Sequence, residues 1–461
     1  MEDADTTVFY NDEDDCLDYE CLHNNVEYDY DYMDSEKETL HDLYQHCLSP
    51  SLFDTGHYIL PLLGSTILFR LLVHTEYISH QVFHMLSVII GLYIIQHYVY
   101  ESLIVLIVFV LFSYGILHVP KRWHKGARIF LPSLLIIAYC ELSMQPVIWH
   151  RIRSVIMTMV MKAISVAIDT NDSNNLPDVY SYMGYMFCGV TCLFGPWVSF
   201  KDYLSLRYSS NQTRGWIICS IGFAFLSFVF LSISNCWTQW IFVDNSWKWL
   251  IAYRDALSFR TSHYFVSYVA SALLVLGGFP LSSSTIVKPL YIEFPRSLVQ
   301  VVIFWNIPMH YWLKTYIFRP SIKNLGKFGA VIITYLISSL LHGLNFQLAA
   351  VLLSLGFYTY VEFQLRATLA DTFDACVTSK QCTKKKCIHK YNSHNCMVFM
   401  TNLMFSFGAI FHLAYLGLMF DTSDLQETGY SYNHTINKWA ELGFASHWVA
   451  LATYCIYLLT K

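Results

Sequence analysis

The sequence predicts an all-α protein made of many membrane-spanning helices, and three observations carry that prediction. Of its 461 residues 55% are hydrophobic and only 14% charged, whereas a soluble chain has about 25% charged residues. Apolar runs of roughly 20 residues, the length that crosses a hydrocarbon core of about 30 Å, recur along the whole chain. The alternating runs of about 10 residues that mark a membrane barrel are absent.

The first element is polar. From Met1 to Gln45 there are 16 acidic residues and one basic residue, a net charge of -15, while the rest of the chain is net +10. Like charges with few aliphatic residues among them stay solvated. Residues 1–56 therefore read as an acidic arm and 57–461 as a single membrane domain. The arm lacks the basic start and apolar centre of a signal peptide, which leaves the first membrane helix as an uncleaved anchor.

Apolar segments then follow near 58–74, 78–97, 99–117, 129–145, 155–168, 179–194, 216–236, 262–280, 298–318, 327–343, 345–363, 397–419 and 443–459. The shorter ones suggest re-entrant pieces, giving about eleven true crossings. Basic loops favour the cytosol, which places Lys121–Arg128 and Ser379–Lys390 there. The arm is then luminal, the C terminus cytosolic, and Asn433 falls in a luminal N-H-T acceptor. Arg151, Arg153, Lys201, Arg207 and Arg214 do not fit simple alternation, so the 155–168 segment is expected not to cross. The sequons at Asn171 and Asn211 carry little weight.

Thirteen cysteines are too scattered for a disulfide framework. Cys376, Cys382, Cys387 and Cys396 cluster with His389 and His394, but without the close C-x-x-C pairs of a zinc site. They read as a basic loop whose thiols are reduced or lipidated, with no metal. Gly-rich phosphate loops, G-x-S-x-G and H-E-x-x-H are absent, which removes nucleotide, serine-hydrolase and zincin chemistry, and nothing points to nucleic acid.

Polar groups inside apolar segments are costly and mark function or helix contacts. The stretch Phe328–Val361 has 34 residues without Asp, Glu, Lys or Arg, yet contains His342, Asn345 and Gln347. Asn306 lies 36 positions before His342, with His310 following it. Pro308 removes an intrahelical bond and should break the helix just after Asn306. An imidazole can accept a hydroxyl proton at neutral pH, and an amide can hold a developing oxyanion. Each alone could equally be a helix–helix contact, the reading given to His84, His97 and His412.

Asn306, the "LLHG" around His342, and the collinear stretches "IWHRIRSVIMTMVMKAIS", "FGPWVSF", "VKPLYIEFPRS", "WNIPMHYWL", "FHLAYLG" and "ASHWV" resemble the membrane-bound O-acyltransferase superfamily, and within it the endoplasmic-reticulum branch that acylates Wnt proteins. The resemblance runs from about Pro146 to the C terminus and leaves out the acidic arm. It implies transfer of palmitoleate from palmitoleoyl-CoA to a Wnt serine in the reticulum membrane, with no other cofactor. His342 would be the base and Asn306 its partner, with Trp305, Trp312, Tyr316, Tyr335 and Ser338 shaping an acyl tunnel. At Gln347 the resemblance implies a family preference for His, a departure that argues against a catalytic role there. Acylation of another secreted peptide or a lipid hydroxyl, a proton-coupled transporter and a Wnt-binding chaperone stay open; substrate panels and a His342→Ala variant separate them.

Overall fold

The computed structural model describes residues 39–119, 125–170, 176–208, 215–243, 246–382, 387, 389–420 and 431–461. The acidic arm through residue 38, the core of the first basic loop, the lysines at 384–386, the 421–430 segment and the sequons at Asn171 and Asn211 lie outside them. Among the described residues the secondary structure is helical except for one bridge between Ala375 and Tyr391. The cause is the solvent, because in hydrocarbon every N–H and C=O must find its partner within its own segment.

Helix α1 (Ser49–His74) runs from a first face to a second, and α2 (His80–Val99) returns beside it. Tyr58 meets Tyr98 edge-on and Phe69 meets Phe83, so the pair is an antiparallel hairpin. Its turn ends at Ser79, whose hydroxyl accepts from Val82 N–H, a cap worth about 1 kcal/mol. A second turn at Tyr100–Ser102 sends α3 (Leu103–His118) back. Ser113 on α3 and Ser87 on α2 then bond Tyr182 and Gly184 of the same later segment.

Helices α4 (Lys125–Ser143) and α5 (Pro146–Asp169) form the next hairpin. At 24 residues α5 is about 36 Å long, enough to cross. The 155–168 stretch is the body of this helix, whose first turns carry Arg151 and Arg153, and the helix is not among those long and apolar enough to cross by composition. The interrupted piece is 179–194, split into α6 (Val179–Met186) and a single turn at Gly189–Cys192. This piece enters and leaves by the second face. Asp178 before it lines a cavity of about 430 Å³ with His80 and Arg207, and Arg207 beyond it donates to the carbonyls of Thr75 and Ile78. Lys162 anchors its tip: the fully buried Nζ donates to Tyr185 O, Met186 O and Thr191 Oγ1 at 2.9, 3.3 and 2.8 Å.

Helix α7 (Trp216–Ser232) packs antiparallel to α8 (Lys248–Leu276), with Ser220 bonded to Ala272 O and Ser234 to Ser258 O. Arg70 of α1 donates to the carbonyls of Val275 and Leu276, which fixes the end of α8 on the second face. On the first face a disulfide joins Cys47, ahead of α1, to Cys236, just past α7. The scatter of the cysteines hid this pair, which spans 189 positions.

The remainder comprises α9 (Leu298–Trp305), α10 (Ile307–Leu313), α11 (Arg319–Leu341), α12 (Phe346–Phe373), α13 (Cys396–Gly417), α14 (Tyr432–Glu441) and α15 (Ala445–Thr460). Tyr316 reaches the Asp169 carboxylate at the end of α5, so α11 starts at the second face; Gly326, at φ 66°, kinks it. Helix α12 packs back along α11, Phe328 against Tyr360 and Tyr335 against Gly356, and returns to the second face. Among the described residues six stretches are long and apolar enough to cross a membrane, or seven if α14 and α15 form one bent span. By that measure the count of eleven is not reached among the described residues, and α4, α5 and α8, though long, are not among the six. Helical structure begins at Leu40 and α1 at Ser49, ahead of the arm boundary placed at residue 57.

Candidate active site

Asn306 stands where α9 ends and α10 begins, with φ -147° and ψ 92°. Pro308 lies in the first turn of α10, where its missing N–H costs nothing. The Asn306 side-chain oxygen accepts from Met309 N–H at 3.0 Å. The amide oxygen is thus committed as a helix cap, while the NH2 group has no partner among the described residues. Backbone groups freed by the break are taken up locally. Lys288 N–H donates to Phe304 O at 3.1 Å, Ile307 N–H to Ile286 O at 2.8 Å, and His263 Nε2 to Trp305 O at 2.9 Å. The His263 ring lies parallel to the Trp305 indole, 1° off plane at 4.4 Å. Residues 302–310 all keep some accessible surface within the protein, as the wall of a cavity would.

His342 is the C-cap of α11, its N–H donating to Ser339 O at 3.0 Å. Gly343 follows at φ 98°, and a Cβ there would fall against the Glu141 carboxylate and the Trp149 indole. Only glycine meets both conditions. Leu344 N–H donates to Glu141 Oε2 at 3.2 Å, and Asn345 caps α12 through Leu348 N–H at 3.1 Å. The turn is therefore fixed on both sides. The His342 ring makes no hydrogen bond among the described residues, and His263 and Arg153 are close enough to act on it electrostatically. Its side chain is half-buried. An imidazole with a free nitrogen can take a proton from a substrate hydroxyl.

Ser338 and Tyr335 precede His342 by four and seven positions and share its helical face. Ser338 is buried, and Tyr335 packs on Gly356. Trp305 meets Phe259 as well as His263. Trp312 and Tyr316 sit apart, in the seam with α5. Trp312 is fully buried with Nε1–H on Met161 O at 3.1 Å, and Tyr316 bonds Asp169. Gln347 is spent on structure, its amide donating to Met419 O and accepting from Thr435. Sequence reasoning missed His263, Glu141 and Arg153. His263 and Glu141 stand at the edges of apolar runs and Arg153 outside one, where a polar residue raises no alarm.

A second cluster lies in the loop between α12 and α13. Cys376, Cys382, Cys387 and His389 place one donor atom each within 4.8 Å of all the others. The sequence reading of this loop rested on spacing, and the fold brings together what spacing kept apart. Cys396, at the first turn of α13, is exposed and outside the cluster.

The helical membrane body thus carries an imidazole on a glycine-locked turn, and His263, stacked on Trp305 at the helix break, lies close enough to act on it electrostatically. Residues 144–407 match the membrane-bound O-acyltransferase family, to which the chain belongs. The chain is similar to three relatives called protein-serine O-palmitoleoyltransferase porcupine. That of Anopheles gambiae is 33% identical over 91% of this chain and 94% of its own length. Those of Homo sapiens and Mus musculus are each 34% identical, over 92% of this chain and 99% of theirs.

Proposed function

We propose that the chain is a protein-serine O-palmitoleoyltransferase that moves palmitoleate from palmitoleoyl-CoA to a serine of Wnt proteins at the endoplasmic-reticulum membrane. The observation that carries the site assignment is the half-buried ring of His342, without a hydrogen bond among the described residues, on a turn that Gly343, Glu141 and Asn345 hold in place. His342 takes the serine proton as the oxygen attacks the thioester carbonyl. The Asn306 NH2 donates to the oxyanion that forms, or to the acyl carbonyl before it. The new O–C bond persists, the C–S bond breaks, and the proton passes from His342 to the departing CoA thiolate. Thiolate is a good leaving group, so no acyl-enzyme is needed, and alignment of the two substrates supplies much of the rest.

The chain path supports an orientation. The basic residues Arg207, Lys201 and Arg319 belong to the second face, which the rule for basic loops makes cytosolic. The disulfide side and the His342 turn are then luminal, where Wnt folds, and acyl-CoA enters from the cytosolic side. Counted by its turns, the path is compatible with eleven crossings and re-entrant pieces at 179–194 and 277–318. The test is transfer of labelled palmitoleate by purified protein to a Wnt peptide, to the same peptide with its serine replaced by alanine, and to a lysolipid. Label on the serine peptide alone supports the reading; label on the lysolipid alone overturns it.

A further inference from the structure

The loop between α12 and α13 is fixed in place before any ligand is considered. Cys376 is 2% exposed. Its N–H donates to Tyr391 O at 2.9 Å, and its carbonyl accepts from Arg296 Nη2 at 2.8 Å and Asn402 Nδ2 at 3.2 Å. Thr378 O accepts from Arg296 Nε and from Arg366, and Ser379 O from the Ser297 hydroxyl. The buried Arg366 guanidinium and the half-buried Arg296 and Asn402 thus hold the backbone on which the first thiol stands.

On this frame Cys382 Sγ and Cys387 Sγ each lie 3.7 Å from His389 Nδ1. A tetrahedral ion with bonds of about 2.3 Å to sulfur and about 2.0 Å to nitrogen sets sulfur and nitrogen about 3.6 Å apart. The donors already stand at that edge length, and the widest separation in the set, within 4.8 Å, closes with a shift of about 1 Å. We propose that Cys376, Cys382, Cys387 and His389 bind one zinc ion as a closed structural site.

Three thiolates and an imidazole are a soft sulfur–nitrogen set, which favours zinc over the oxygen-seeking calcium and magnesium. Four protein donors fill the tetrahedron, so no position is left for water and the site is not catalytic. The loop lies on the face opposite the Cys47–Cys236 disulfide, so one side of the protein uses its thiols in a covalent bond and the other as metal ligands. Through Arg296 and Ser297 the ion would also steady the start of α9, eight residues before Trp305.

The experiment is metal analysis of the full chain, purified in detergent without a polyhistidine tag. One zinc per chain is expected, retained by Cys396→Ser and lost from Cys382→Ser combined with Cys387→Ser. Mercurial titration of the wild type should release the zinc in step with modification of three thiols, which decides the matter even where the double variant fails to fold. Zinc absent from the wild type, zinc released without those thiols reacting, or mass spectra showing Cys376, Cys382 or Cys387 in a disulfide or a thioester would overturn the assignment.

Discussion

Two regions of this membrane body hold imidazoles among apolar helices, and they treat them in opposite ways. In the seam between α12, α13 and α15, His412 Nδ1 bonds the Ser446 hydroxyl and its ring packs on Tyr358. His447 beside it uses both nitrogens, on the Tyr415 and Ser354 hydroxyls, within a ring of Tyr358, Trp439 and Phe444. At the α11–α12 turn the backbone around His342 is pinned but its ring is left unbonded. Satisfied nitrogens hold helices together; a fixed ring with a spare nitrogen is available for chemistry. Polarity within a membrane segment is thus a poor guide until the partners are counted.

The largest expected effect tests this contrast directly. His342→Ala should lower single-turnover acyl transfer by about 10²- to 10⁴-fold, the usual worth of a positioned base, with little change in thermal midpoint. A variant that transfers at the wild-type rate would dissolve the distinction. Asn306→Asp comes next, because it keeps the oxygen that caps α10 but removes the NH2 donors. A loss of about 10²-fold in rate with normal stability is expected from a missing oxyanion donor, whereas Asn306→Ala should add the cost of the cap. A stability loss confined to Asn306→Ala, with no rate loss in either variant, would make Asn306 a cap alone.

Smaller effects belong to the bonded imidazoles. His412→Phe should cost about 1–3 kcal/mol by leaving the Ser446 hydroxyl unpaired, read as a lower melting point, while the rate per folded molecule is unchanged. A catalytic defect in that variant would show that the seam is also part of the reaction. Least of all, Asn345→Ala should remove about 1 kcal/mol of helix capping at α12. Hydrogen exchange confined to the His342 turn would register it; an undisturbed turn would mean that Glu141 alone holds the loop.

Much of this could be read along the chain. Helical class follows from composition, because hydrocarbon leaves the backbone no alternative. His342 and Asn306 stood out because each interrupts a run that has no other reason to be polar. What escaped was set by distance through space. Lys162 is the one charged residue of the apolar run 155–168, yet nothing nearby in the sequence tells that its ammonium ends on three oxygens of a re-entrant segment. The clustering of the cysteine loop was hidden for the same reason, since spacing rules describe ligands on short knuckles, whereas this loop takes its shape from Arg296, Arg366 and Asn402. Trp312 and Tyr316 drew notice as aromatics near Asn306, but side chains six and ten positions along a broken helix need not look into one space.

The disulfide has a consequence in time. Cys236 leaves the ribosome 189 residues after Cys47, so during synthesis the first helix waits with an unpaired thiol until the seventh has entered the membrane. A chain stalled before that point would be linear, and one stalled after it would be closed into a covalent loop of helices. The order of assembly is thus recorded in a single bond, and a non-reducing gel of stalled chains would display it as an abrupt gain in mobility.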